Sequence, residues 1–201
     1  MASSNIKEAL HGYITDMLSV ERHISSALEA QIKDLEDHPT VQSELRTIHA
    51  TVLSHTQTLE TLTEQHGGEK VAGTIKKLGS VIAGLAAGAI DMVRNEGVPK
   101  DLRDDYAAFS LASIGYVMLY TTGVSLGERM VSDVAQRHLS DYAEVVMTLH
   151  NLIPGVVIEF LQEEGLPAKE ESLAEISKTL ENVWRQEARK VPEADQIQTR
   201  S

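Results

Sequence analysis

The sequence predicts an all-α fold: an antiparallel bundle of four long helices, with a crossover helix between two hairpins and an extra helix at the C-terminal side. Three observations carry this. Apolar residues recur at alternating steps of three and four over long stretches, and no stretch shows the period-two alternation of a half-buried strand. Aromatic residues make up only 4% of the chain. The prolines stand at positions 39, 99, 154, 167 and 192, where they punctuate helix-compatible segments. With 201 residues the chain suits one domain able to bury its own core. That domain is expected over 1–190, with a disordered tail at 191–201.

The first segment, about Asn5 to Glu36, places Leu10, Ile14, Met17, Glu21, Ile24 and Leu28 on one helix face. His38-Pro39 interrupts the pattern, and about Thr40 to Gln65 repeats it at Val41, Leu45, Ile48, Val52, His55, Leu59 and Leu62. A connection this short predicts an antiparallel hairpin. Gly67-Gly68 ends the second helix, and a small-residue helix, the crossover, is expected from Val71 to about Asn95. After Gly97-Val98-Pro99, Lys100 to about Ser125 is apolar nearly all round, as befits a central helix or a subunit contact. Leu126-Gly127 marks a turn. The fourth long helix, roughly Glu128 to Ile153, aligns Val131, Val134, His138, Asp141 or Tyr142, Val145, Leu149 and Leu152 before Pro154. A last amphipathic helix is expected over Lys169 to Arg189, with Leu173, Ile176, Leu180 and Val183 on one face.

Composition excludes several function classes. The formal charge is -12, from 18 Lys+Arg against 30 Asp+Glu, so a phosphate backbone or an anionic membrane would repel most of the surface. Nucleic acid and membrane are therefore not expected partners. The longest apolar run, Val81 to Ile90, is too short for a bilayer, which takes roughly 20 residues. The absence of cysteine removes thiolate metal sites, disulfides and cysteine nucleophiles. The N-terminus has neither a basic region nor an apolar stretch of signal-peptide length, and a cytoplasmic protein is expected. No glycine-rich phosphate loop follows a strand, and no serine sits in a nucleophile elbow.

Polar residues on otherwise apolar stripes are the informative ones, because a buried charge survives only with a partner. Four stand out: Glu21, His55, His138 and Asp141. Glu21 lies 17 residues before His38 and His55 lies 17 after it, which sets them at one height on antiparallel helices. His138 and Asp141, an i,i+3 pair near the middle of the fourth helix, project toward one spot. Two imidazoles and two carboxylates suit one iron, manganese or zinc ion. They suit still better a satisfied hydrogen-bond network with no cofactor. Phe109, Tyr116 and Tyr120 could line the same centre, with Met118 and Val52 beside them, and receive a hydrophobic small molecule. His11, His23, His49, His66 and His150 fall off the stripes or near helix ends and are read as solvated. The acids Glu159, Glu163, Glu164, Glu170 and Glu171 are read as a solvated surface.

A hairpin, a long crossover carrying a helix and a second hairpin is ferritin-like connectivity. Within that superfamily, MLSVERHISSAL in the first helix, HTQTLETL in the second and the crossover KKLGSVIAGL resemble the YciF-like branch, over about residues 5 to 165. The resemblance implies that Glu21 takes the place of the first-helix ligand glutamate, His55 that of the second-helix His or Gln, and Asp141 that of a fourth-helix acid. The second-helix acid would fall at Thr51 or Val52 and the third-helix acids at about Phe109 and Ala112, none of which is a carboxylate. A degraded di-iron site follows. Three functions compete: a non-catalytic, stress-associated protein acting through homodimerisation or partner binding; a mononuclear metal-binding oxidoreductase remnant; and a hydrophobic small-molecule binder. The almost wholly apolar third helix predicts a homodimer.

Overall fold

The computed structural model describes residues 2–67 and 97–188, and among these every regular element is a helix, with no strand. The helices are α1 (Ala2–Asp34), α2 (Pro39–Gly67), α3 (Gly97–Leu126), α4 (Arg129–Glu163) and α5 (Ser172–Ala188). The crossover helix expected over Val71–Asn95 and the tail expected at 191–201 lie outside the described residues. The chain forms two compact units, Met1–His150 and Asn151–Ser201. The first holds α1, α2, α3 and α4 as far as His150.

Cross-helix pairs fix the directions. Arg22 meets Glu60 and Ser25 meets His49, so α2 descends as α1 rises. Glu21 meets Tyr116 and Gln31 meets Asp105, which makes α3 antiparallel to α1. Tyr116 meets His138 and Tyr106 meets His150, which makes α4 antiparallel to α3. The order is up, down, down, up, and the end of α2 and the start of α3 lie at opposite ends of the bundle. This is the ferritin-like arrangement the sequence predicts.

The turn from α1 to α2 is built from local signals. Pro39 opens α2, where its missing N–H costs nothing and its fixed φ suits a first helical turn. The Gln42 side chain donates to the Ile32 carbonyl at 2.9 Å and so satisfies an α1 end group. Between α3 and α4, Gly127 takes φ +75, Glu128 N donates to Gly123 O at 2.8 Å, and Gly127 N to Val124 O at 3.2 Å. This paired closure needs a left-handed residue after the helix, which glycine supplies without steric cost.

The predicted stripes of α1 and α2 are buried along their whole length, from Leu10 to Leu28 and from Val41 to Leu62. On α3 the outcome differs from an all-round buried helix. Leu102, Phe109, Ala112, Tyr116, Leu119 and Gly123 form one buried face, while Leu111, Ile114, Val117, Met118 and Val124 are exposed. The fourth helix does not stop before Pro154 but runs through it to Glu163. A helical proline loses one hydrogen bond, to the carbonyl four residues back, and burial of Val156 and Ile158 beyond it favours continuation. In the second unit, α5 begins at Ser172 and not at Lys169 as predicted, and Leu173 and Val183 are exposed.

Close packing at the α3–α4 corner gives a first prediction. A Cβ at Gly123 would lie 2.8 Å from the Ser132 backbone nitrogen and 3.1 Å from its Cα, neither of which can swing aside. Gly123→Ala should therefore destabilise the protein by roughly 1 to 3 kcal/mol, the usual cost of overpacking. At Gly115 a Cβ would meet only the flexible Met17 thioether. Gly115→Ala should be distinctly milder, and urea unfolding of the two variants side by side checks the order.

Candidate functional site

The centre of the first unit is a polar cluster to which each of its four helices contributes. Glu21 comes from α1, His55 from α2, Tyr116 from α3, and His138 with Tyr142 from α4, all of them buried. The stripe logic explains their convergence: each occupies a core position of its helix, and the antiparallel registers bring the positions to one level.

Glu21 is the hub. The Tyr116 hydroxyl donates to its Oε1 and the Tyr142 hydroxyl to its Oε2. His55 adds a contact from Nδ1 to Oε1 at 3.3 Å. A buried carboxylate without donors would be prohibitively costly; here both oxygens are served. Burial, followed by the Glu21 charge, pushes both tyrosine hydroxyls far above their ordinary range, so they remain proton donors.

Because Tyr116 gives its single proton to the carboxylate, its oxygen accepts from His138 Nδ1, 2.9 Å away. That assigns the His138 proton to Nδ1 in a neutral ring. Burial, then the neighbouring His55 and Arg137, lowers the His138 pKa to about 3, in agreement with the geometry. The His55 ring stacks on His138 with centroids 3.7 Å apart and planes 7° from parallel. On its far side His55 Nε2 meets Asp141 Oδ2 at 3.0 Å.

Asp141 stands at the edge of this arrangement. Its side chain is 51% exposed, and it belongs to a groove of about 550 Å³ between α2 and α4, with His55 at the floor and Glu44, Thr51, Ser54 and Glu144 along the walls. Of the four residues marked as metal ligands by the sequence, the structure gathers Glu21, His55 and His138 inside and leaves Asp141 at the solvent boundary. The ligand atoms of those three lie within 4.8 Å of one another, a set that could hold a metal ion.

A carboxylate-bridged pair of ions does not fit. Such a site takes acids from the other helices as well, whereas Val52, Phe109 and Ala112 are buried apolar side chains and Thr51 lines the outer groove. Phe109 packs edge-on against Tyr142 at 5.0 Å and 84°, filling space on the α3 side.

Of the residues expected to line a ligand cavity, Phe109 and Tyr116 are at the centre, but Tyr120 is 37% exposed and Met118 lies on the outer surface. Tyr142, which shares the α4 stripe as the alternative to Asp141, completes the cluster. Its spacing, four residues after His138, marks the same helix face more directly than the i,i+3 spacing of Asp141. Three histidines read as solvated are engaged: His49 bonds Ser25 at 2.9 Å, His66 Nδ1 donates to the Leu62 carbonyl at 3.0 Å, and His150 faces the Tyr106 ring. The acids Glu159, Glu163, Glu164, Glu170 and Glu171 are exposed.

Comparison with known proteins places this architecture. A crystal structure of a protein from Xanthomonas campestris pv. campestris superposes with a TM-score of 0.66 at 18% identity, covering 81% of this chain and 99% of that one. At this identity the likeness concerns the fold. No curated protein sequence matches the chain. The model of a family described as a domain of unknown function, DUF892, matches residues 5–162, and the chain belongs to that family.

Proposed function

We propose that this protein is a non-catalytic ferritin-like protein of the YciF-like branch, in which a hydrogen-bonded polar core stands where relatives would hold metal, and that it acts by association with its own copy or another protein. The observation that carries this reading is the state of Glu21. Both of its oxygens are occupied by tyrosine hydroxyls, and the helix positions that would supply bridging acids hold Phe109 and Ala112. A set of donors that neutralises the carboxylate so fully leaves little to gain from an ion.

The convergence of Glu21, His55 and His138 favours a second reading, a single bound iron, manganese or zinc ion. For that, Glu21 would release a tyrosine hydroxyl and His55 would leave Asp141. Elemental analysis of protein purified without an affinity tag, with melting curves in added manganese, iron or zinc, separates the two. The first reading expects substoichiometric metal and no rise in melting temperature. Near-stoichiometric metal, lost on His55→Leu together with metal-dependent stabilisation, would overturn it.

A further inference from the structure

The groove between α2 and α4 is a cavity that the core cluster leaves unexplained. It holds about 550 Å³, and three carboxylates line it, Glu44 from α2 with Asp141 and Glu144 from α4. Asp141 stands level with His55, and α4 runs antiparallel to α2, so Glu144 lies about one turn nearer the Glu44 end. At 1.5 Å per residue, the run of α2 from Glu44 to His55 makes the groove about 16 Å long. Between its charged ends the floor is apolar, formed by the buried side chains of Ile48 and Val145. A concave surface with an apolar floor and a few placed polar groups is the usual form of a small-molecule site.

The lining carries one sign of charge and offers mainly acceptors. No Lys or Arg lines the groove, and none occurs in the sequence from Thr47 to Gly68 or from His138 to Ala168. Among the described residues, the ion pairs use neither Glu44 nor Glu144. The Thr47 and Thr51 hydroxyls give their protons to the Ser43 and Thr47 carbonyls, at 3.2 and 3.4 Å, so what they offer a ligand is lone pairs. A cationic ligand that only donates complements such a surface. An alkylammonium has N–H donors and no acceptor, and a cleft of single sign concentrates cations. The groove carboxylates do not converge on one ion: among the described residues, Glu21, His55 and His138 are the set whose ligand atoms come within reach of one another. Positive charges strung along a chain, with apolar spacers between them, fit this spacing instead. We propose that the groove between α2 and α4 binds a linear aliphatic polyamine, with one ammonium at Asp141 and Glu144, another at Glu44, and methylenes over Ile48 and Val145. This site stands whether or not the core holds an ion, because Glu44 and Glu144 take no part in the core cluster.

Isothermal titration of the full chain with spermidine tests it, in about 0.15 M salt, where attraction to distant charges is screened beyond about 8 Å. The wild type should bind one equivalent saturably. Glu44→Gln with Glu144→Gln should weaken binding by roughly fivefold or more, through the loss of two partly exposed ion pairs. Both side chains are exposed, so circular dichroism and melting should be retained. Glu159→Gln with Glu163→Gln removes the same charge from exposed positions outside the groove and should change binding by less than about twofold. Magnesium chloride at the same concentration should not displace the polyamine. A wild type that binds no spermidine up to millimolar concentration would overturn the inference. Equal weakening by the two pairs of substitutions would reduce the binding to diffuse attraction by an acidic chain, and would overturn it too. So would magnesium that displaces spermidine and itself loses affinity on Glu44→Gln with Glu144→Gln, since a metal ion would then be the occupant.

Discussion

Glu21→Gln should be among the costliest single substitutions in the bundle, although it changes neither size nor shape. The carboxylate accepts from Tyr116 on one oxygen and from Tyr142 on the other, and His55 approaches the first. A carboxamide keeps one acceptor and replaces the other with an NH2 group. One tyrosine hydroxyl then faces a donor and must turn, yet its oxygen lies in a buried setting with no new acceptor nearby. Hydrogen bonds to a charged acceptor contribute about 1.5 to 3 kcal/mol each, and a stranded buried donor adds its desolvation. The expected loss is about 3 kcal/mol, or roughly 6 to 12 °C in melting temperature for a chain of this length. Tyr142→Phe should cost about 2 kcal/mol, because Oε1 of Glu21 keeps Tyr116 and His55 while Oε2 loses its donor. If the two tyrosines act through Glu21, adding Tyr142→Phe to Glu21→Gln should cost less than it does alone. A Glu21→Gln variant as stable as the wild type, with a fully additive double, would mean that the cluster contributes packing rather than hydrogen bonding.

Much of this cluster was legible in the sequence, for a definite physical reason. Glu21 and His55 interrupt apolar stripes that are otherwise regular, and a four-residue connection, Leu35 to His38, converts equal sequence distances into equal heights. Helical periodicity therefore sufficed to bring them together. It sufficed less well on α4, where Asp141 and Tyr142 are adjacent and lie 100° apart around the axis. Periodicity admits either, and only the packing of α2 against α4 decides that Tyr142 turns inward while Asp141 borders the groove. On α3 the stripe signal vanished, because its outer face is as apolar as its inner one. The inner face was then identifiable only by which side meets Glu21, and Tyr120 and Met118 could not be sorted from Tyr116. The end of α4 was misplaced for another reason: proline weakens a helix by a fixed local amount, and burial further along can outweigh it.

Stability should depend on pH through two groups that act in opposite directions, and Asp105→Asn should expose the effect. Asp105, on α3, faces Gln31 of α1; its Oδ2 and the Gln31 Nε2 are both buried without a hydrogen-bond partner. Burial above all pushes its pKa from 3.8 up to about 7, with Asp101 and Asp104 adding repulsion and the Gln31 side chain offsetting part. Between those two values the folded chain holds a proton that the unfolded chain has released. Stability therefore falls as pH rises through that window and levels off above about 7. His138 works the other way: its folded pKa of about 3 lies below the ordinary 6.5, so between them the unfolded chain binds the extra proton and stability falls as pH drops. Where the windows overlap the slopes oppose, and the wild type should show a broad plateau. Asp105→Asn removes one slope and keeps the shape of the side chain. At pH 8 the variant should be more stable than the wild type by roughly 2 to 4 kcal/mol, following from about 1.4 kcal/mol per pKa unit with allowance for partial solvent access. At pH 4 the two should coincide, and below pH 6.5 the variant should lose stability steeply where the wild type does not. Urea unfolding at intervals from pH 4 to 8 measures this directly. A difference between variant and wild type that is the same at every pH would show that Asp105 does not change its protonation on folding.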